Sequence, residues 1–334
     1  MFGRSKTRKE ANVSIDWTLA TTNLTSIAVL VFIFGFIAAR LNSDVRIPEP
    51  VYQFISFYLL IGIGLKGGHA LKNSSFGEIA IPAVTTIILG SLIPFAAFAS
   101  LKFIRSLSDL DRGAIAAHYG STSLVTFSAA LIFLENHVID VEGYATALLT
   151  LMEIPGIIVG VFLGSRHVQE NVQWSKTFHE IITGKTVSLL VFGLLAGWIT
   201  TEASYDKAKP LFIDLQSGLL VLFLLHLGYL AGSQWNEIKQ VGIKIGIFAL
   251  AFPIFAGFVG AAAGTLIGMS IGGATILAVL CASASYIAAP AAVSIGLPQA
   301  NGALALSSSI GVTFPFNLIV GIPLYLEFAK LLAG

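Results

Sequence analysis

Apolar residues run through this chain in long unbroken blocks, separated by short polar stretches. Residues 17–39, 50–65, 79–101, 113–134, 186–201 and 215–236 carry no Asp, Glu, Lys or Arg, and 143–165 hold Glu153 alone. The longest block, 245–326, runs 82 residues without any of these or His. A bilayer core takes about 20 apolar residues per helix, so that block can hold three spans. The pattern predicts an all-α polytopic membrane protein with ten transmembrane helices, at 21–41, 50–67, 78–103, 112–134, 144–165, 184–201, 211–231, 241–268, 272–296 and 302–332.

The second half of the chain echoes the first. Gly35 and Pro48 recur as Gly197 and Pro210, at an offset of 162. Gly64 and Gly68 face Gly228 and Gly232 at 164, and the same offset sets Ser121 on Ser285. Pro155 and Ile158-Val159-Gly160 match Pro315 and Ile319-Val320-Gly321. These matches predict a basic tail (1–20), a first five-helix repeat (21–165), an inter-repeat loop (166–183) and a second repeat (184–334). An odd number of spans per repeat makes the second repeat enter the membrane inverted, an architecture shared by many secondary transporters.

Composition narrows the class. Of 334 residues, 55% are hydrophobic and 11% charged, and the mean hydropathy is +0.85; soluble domains carry about 25% charged residues. A net charge of +1 without a basic stripe excludes nucleic acid as the expected partner. The sequence has no Walker loop, dinucleotide fingerprint or HExxH, and the lone Cys281 excludes an intrachain disulfide. With no nucleophile–base pair or metal-ligand cluster, the chain does not read as an enzyme. Arg4, Lys6, Arg8 and Lys9 ahead of an apolar run give the start the outline of a signal peptide. The repeat requires that run as a helix, so it is read as the first span. The distribution of basic loop residues favours both termini outside once the tail is discounted.

Two spans are poorly built as continuous helices. Span four contains His118-Tyr119-Gly120-Ser121-Thr122-Ser123, and span nine Ser283-Ala284-Ser285-Tyr286-Ile287-Ala288-Ala289-Pro290. Ser, Thr and Gly favour caps and turns over helix interiors, and Pro lacks an amide hydrogen. A broken helix persists in a membrane only where it lines a cavity or finds ligands. Half-helix N-termini suit a small anion, while hydroxyls and freed carbonyls suit Na⁺. The expected anion ligands are Gly120, Ser121, Thr122, Ser123, Ser285, Ala288 and Ala289. The expected sodium ligands are Tyr119, Ser121, Thr126, Ser283 and Asn317, with His118, Glu153 and Thr313 in support. Glu153 is the acidic residue in the middle of an apolar span, where a carboxylate is expensive and usually faces a cavity, ion or partner.

The runs IPEPVYQFISFYLLIGIGLKGGHALKNS (47–74), AIAAHYGSTSLVTFSAALIFLE (114–135), MEIPGIIVG (152–160) and SASYIAAPAA (283–292) carry a family likeness. In content and order they resemble the SbtA-type sodium-dependent bicarbonate transporters of cyanobacteria, a resemblance extending from about residue 20 to the end. It implies a sodium-coupled bicarbonate symporter of the bacterial cytoplasmic (inner) membrane, with Na⁺ as co-transported ion. It further implies gate and core domains, a homotrimer, elevator-like movement of the core, and binding between the breaks at 118–126 and 283–290. A PII-like cytoplasmic regulator that responds to adenyl nucleotides is an implied partner. Alternatives are a sodium-coupled carrier of another small anion such as a monocarboxylate, and an anion channel.

Overall fold

The computed structural model describes residues 23–72, 74–166, 173–240 and 242–334. Among them every regular element is helical and there is no strand. The basic tail 1–20 lies outside the described residues.

The first half comprises α1 (Ile27–Arg40), α2 (Glu49–Leu71), α3 (Phe76–Leu101), α4 (Asp109–Gly120), α5 (Leu124–Asn136) and α6 (Ala145–Ser165). There follow α7 (Trp174–Thr183), α8 (Lys185–Ile199), α9 (Glu202–Ser233), a short helix Trp235–Gln240, and α10 (Ile243–Leu266). α11 (Ile271–Ala282), α12 (Ala288–Gly296) and α13 (Gly302–Ala333) complete the chain. Among the described residues, seven helical segments are long and apolar enough to cross a membrane: α2, α3, α4 with α5, α6, α9, α10 and α13. α7 and α8, bent by 46°, make an eighth if taken as one span. The apolar helices α1 and α11 are shorter, at 14 and 12 residues.

Local chemistry sets these boundaries. Ser75 and Glu78 form a reciprocal capping box at the start of α3. Ser108, Ser123 and Ser270 place their hydroxyls as acceptors on the first turns of α4, α5 and α11. The segment expected to be an inter-repeat loop contains α7, whose Thr177 and Ile181 are buried while its other face is exposed. With so few apolar residues, α7 falls below any span threshold read from hydropathy.

The helices pack in two groups. α1 lies along α9, and α2 along α8. In the other group, α6 packs on α3 and α4, and α10 and α13 pack on α11. Glycines permit the closest approaches. Gly35 rests on the Leu225 carbonyl and Gly197 on the Leu65 carbonyl, contacts that would not admit a Cβ. Gly68 lies against the Leu194 carbonyl, as Gly228 lies against that of Phe32. Gly68 and Gly228 thus make like contacts, whereas the sequence matching sets Gly64 on Gly228. Glycines repeat every four residues in both segments, so sequence matching alone could not detect a one-turn slip. Exposed Ile81, Ile88 and Phe95 on α3, with Phe192 and Trp198 on α8, present apolar side chains outward, as a lipid-facing surface requires.

Candidate functional site

Both predicted breaks are present. α4 ends at Gly120, and Ser121 is extended (φ −97°, ψ 160°). α11 ends at Ala282, and Ser283 adopts nearly the same conformation (φ −81°, ψ 164°). Ser121 and Ser283 thus share a backbone conformation at the ends of their helices, whereas the sequence matching sets Ser121 on Ser285. The second break is longer, running from 283 to 287 before α12 begins. Pro290 falls in the first turn of α12, where its missing amide costs nothing.

The two breaks are bonded to each other. The Ser123 amide donates to Ser283 Oγ (3.1 Å), and the Ser285 amide donates to the His118 carbonyl (2.8 Å). Ser123 Oγ is a hub: it accepts from the Thr126 amide (3.2 Å) and hydroxyl (2.9 Å), and donates to Tyr286 Oη (3.1 Å). Across the gap, Ser285 Oγ accepts from the Ala289 amide (3.2 Å). Helix geometry leaves the amides of Leu124 and Val125, the first two of α5, without intrahelical acceptors. In α12, the Ala289 amide donates to Ser285 Oγ and Pro290 has no amide hydrogen, which leaves the amides of Ile287 and Ala288 without intrahelical acceptors.

A small cavity lies where these segments meet, lined by Thr122, Ser123, Leu124, Glu153, Thr186, Ser285, Tyr286 and Ile287. Its free volume is about 10 Å³ for the centre of a water-sized sphere, space for roughly one water or a bare cation. Glu153 is 2% exposed, and its Oε2 has no hydrogen-bond partner. Ser121 Oγ and His118 Nε2 are likewise buried and unpartnered, His118 Nδ1 being engaged with the Ala114 carbonyl at 2.8 Å. Buried polar atoms are usually satisfied in native structures, and three of the eleven unpartnered ones among the described residues gather at this pair of breaks. No Lys or Arg lines the cavity.

Of the expected residues, Thr122, Ser123, Ser285 and Glu153 line this space. Ser283 and Thr126 act through Ser123. Gly120 supplies a close approach, its carbonyl lying against Gly156. Tyr119 with Thr313, and Asn317 with Tyr325, make two further polar contacts outside this space. Tyr119 Oη meets Thr313 Oγ1 at 2.6 Å, Thr313 donates to the Ala249 carbonyl (2.8 Å), and the Tyr119 ring lies edge-on to Phe248 and Phe252. The Asn317 amide donates to the Ala282 carbonyl (2.9 Å), the last of α11, and its Oδ1 accepts from Tyr325 (2.6 Å). These residues fix the ends of α4 and α11 from behind. Thr186 and Tyr286 were not among the expected residues. Tyr286 lay within the span-nine motif, whereas nothing in sequence set Thr186 apart.

A second recess of about 310 Å³ is lined by Lys66, Ser128, Glu135, Thr146, Asp214, Gln216 and Ser217 together with apolar residues such as Leu131 and Leu220. Ser128 stands on α5, the half-helix whose N-terminus forms the site. The recess gives exposed Lys66 a setting among carboxylates.

A family model described as the Na⁺-dependent bicarbonate transporter superfamily matches residues 28–330. No curated protein matches the chain.

Proposed function

The chain belongs to the Na⁺-dependent bicarbonate transporter superfamily, and we propose that it carries bicarbonate into the cell by obligatory symport with Na⁺. The observation that carries this reading is the meeting of two broken helices around a small cavity lined by hydroxyls and Glu153 without Lys or Arg, a cavity that must widen from its present volume to admit the anion. In this reading the anion is held by the free amides of Leu124, Val125 and Ala288 and by the hydroxyls of Ser121, Thr122, Ser123 and Ser285. Half-helix N-termini carry a partial positive charge, but no cationic side chain is present to complete the neutralisation. Sodium, held among Ser121 and Ser123 with freed carbonyls, supplies that charge. Anion affinity then depends on sodium, which is the thermodynamic requirement for coupling.

Ten spans follow if α1, the α7–α8 pair and the α11–α12 pair each cross the bilayer alongside the seven longer segments. Two features support an inverted five-plus-five repeat. α1 on α9 and α8 on α2 are repeat-related pairs, and each uses a glycine against a leucine carbonyl. The two packing groups support an elevator, in which the group bearing the breaks slides against the group of α1, α2, α8 and α9. A homotrimer in the bacterial cytoplasmic membrane and control by a PII-like protein complete the proposal. α7, which packs on α12, is the described part of the inter-repeat segment on which such control would act.

The test is uptake of labelled bicarbonate by the purified chain in liposomes at alkaline pH. Uptake should require Na⁺ and fall to background when K⁺ replaces it. Uptake indifferent to that replacement would reject the mechanism. A carrier of another small anion is the second reading, since oxyanions and short carboxylates share the same donors; monocarboxylates that outcompete bicarbonate would favour it.

A further inference from the structure

Bicarbonate differs from other planar monoanions in one respect: it carries an O–H and must donate that hydrogen bond. A pocket built only of donors would bind nitrate or formate as well as bicarbonate. The cavity between the breaks is lined by the hydroxyl-bearing Thr122, Ser123, Thr186, Ser285 and Tyr286, which can donate or accept, and by the start of α5. Glu153 is the one carboxylate in that lining, and when ionised it can only accept. It reaches the cavity from α6, is 2% exposed, and turns toward it a carboxyl whose Oε2 finds no donor in the protein.

We propose that Glu153 is the specificity-determining acceptor for the substrate's O–H. This rests on the reading of the cavity as the bicarbonate site and adds how that site rejects other anions. An O–H donating to a carboxylate forms a short, charge-assisted hydrogen bond. An anion without an O–H brings a lone pair against Glu153 instead, so that two negative atoms face each other in a low-dielectric space. Sites that hydrogen-bond a substrate hydroxyl reject analogues lacking it far more strongly than apolar pockets discriminate by size. The carboxylate also strengthens the need for sodium, because the bound anion and Glu153 together place two negative charges in the site. Glu153 lies two residues before Pro155 and three before Gly156, whose contact with the Gly120 carbonyl fixes this stretch of α6 against the end of α4. Its reach toward the breaks is thereby set.

The experiment compares wild type, Glu153→Gln and Glu153→Asp in the full chain reconstituted in liposomes, reading Na⁺-dependent bicarbonate uptake and its inhibition by nitrate and formate. Glutamine keeps the size and offers the amide as a donor. Glu153→Gln should weaken half-saturation by bicarbonate on the order of tenfold to a hundredfold. It should also make nitrate and formate better inhibitors, lowering the bicarbonate-to-nitrate preference at least tenfold. Glu153→Asp should keep the wild-type order of anions at reduced rate. Loss of uptake with an unchanged preference in Glu153→Gln would overturn the inference, as would a change confined to the Na⁺ concentration dependence, the mark of a sodium ligand alone. A Glu153→Gln protein without uptake is read by whether excess nitrate protects it from thermal denaturation more than it protects wild type; no added protection overturns the inference. Wild type that takes up no bicarbonate would overturn the underlying reading and this inference together.

Discussion

Replacing Gly156 with alanine tests whether helix packing sets the geometry of the site. Gly156, Gly160 and Gly164 form a ridge along α6 that meets Gly120, Ala117 and Gly113 of α4, the small-residue packing that lets membrane helices approach closely. A Cβ on Gly156 would fall onto the Gly120 carbonyl and lie 2.9 Å from the Gly120 Cα. Both obstacles are backbone, so no rotamer change relieves them. α4 and α6 must part by about an ångström, at the residue where α4 gives way to the break. Overpacking of this kind costs about 1–3 kcal/mol. The displacement also carries Ser121 and its neighbours away from Ser283, and misplacement of about an ångström can lower a rate on the order of a hundredfold. The control is Gly246→Ala in α10, where nothing lies within 4 Å of the new methyl and alanine gains up to about 1 kcal/mol of helix propensity. Thermal unfolding in detergent and Na⁺-dependent uptake in liposomes should separate the two: Gly156→Ala loses several degrees and at least about tenfold in uptake, while Gly246→Ala matches or exceeds wild type in both. Equal behaviour of the two variants would refute the reasoning.

Other outcomes follow from the same geometry. Ser123→Ala removes the N-cap of α5 and the partner of Tyr286, so stability should fall by about 1–2 kcal/mol and uptake by about tenfold or more; Ser128→Ala, whose hydroxyl bonds back to the Leu124 carbonyl at 2.8 Å, should change neither. Tyr119→Phe breaks the bond to Thr313 while leaving the aromatic packing, and should lower the unfolding midpoint by the equivalent of about 1 kcal/mol without altering anion preference in competition assays. Cys281 is 1% exposed and should resist a membrane-permeant maleimide until the protein is unfolded, as read by mass shift; rapid labelling of the folded protein would contradict the packing of α11.

Hydropathy was a sound guide to this fold where the segments are long. α2, α3, α6, α10 and α13 lie within a few residues of the apolar blocks that announced them. It was weaker at α1 and α11, whose 14 and 12 helical residues are shorter than the blocks containing them. Amphipathic α7 escaped it altogether, because a helix with one polar face resembles a loop by mean hydropathy. The breaks were legible because Ser, Thr, Gly and Pro act on the backbone locally, and Ser123 as a cap is local chemistry of the same kind. Tertiary relations were not legible. Tyr119 and Asn317 are polar residues beside the breaks, and only the structure shows their hydroxyl and amide turned to Thr313 and Ala282. Thr186 reaches the cavity from α8 through a contact that leaves no trace in one sequence. Glu153 was conspicuous as an isolated acid, while its place in one cavity lining with Ser123 and Tyr286 emerged from the fold.

The most direct test of the account is whether a sodium gradient performs work on bicarbonate. Liposomes containing the full chain would be loaded with equal labelled bicarbonate inside and out at alkaline pH, then given an inward Na⁺ gradient. The account predicts transient accumulation of label above the external level, abolished by a sodium ionophore. Equilibration without accumulation, or flux that ignores the direction of the sodium gradient, would contradict symport.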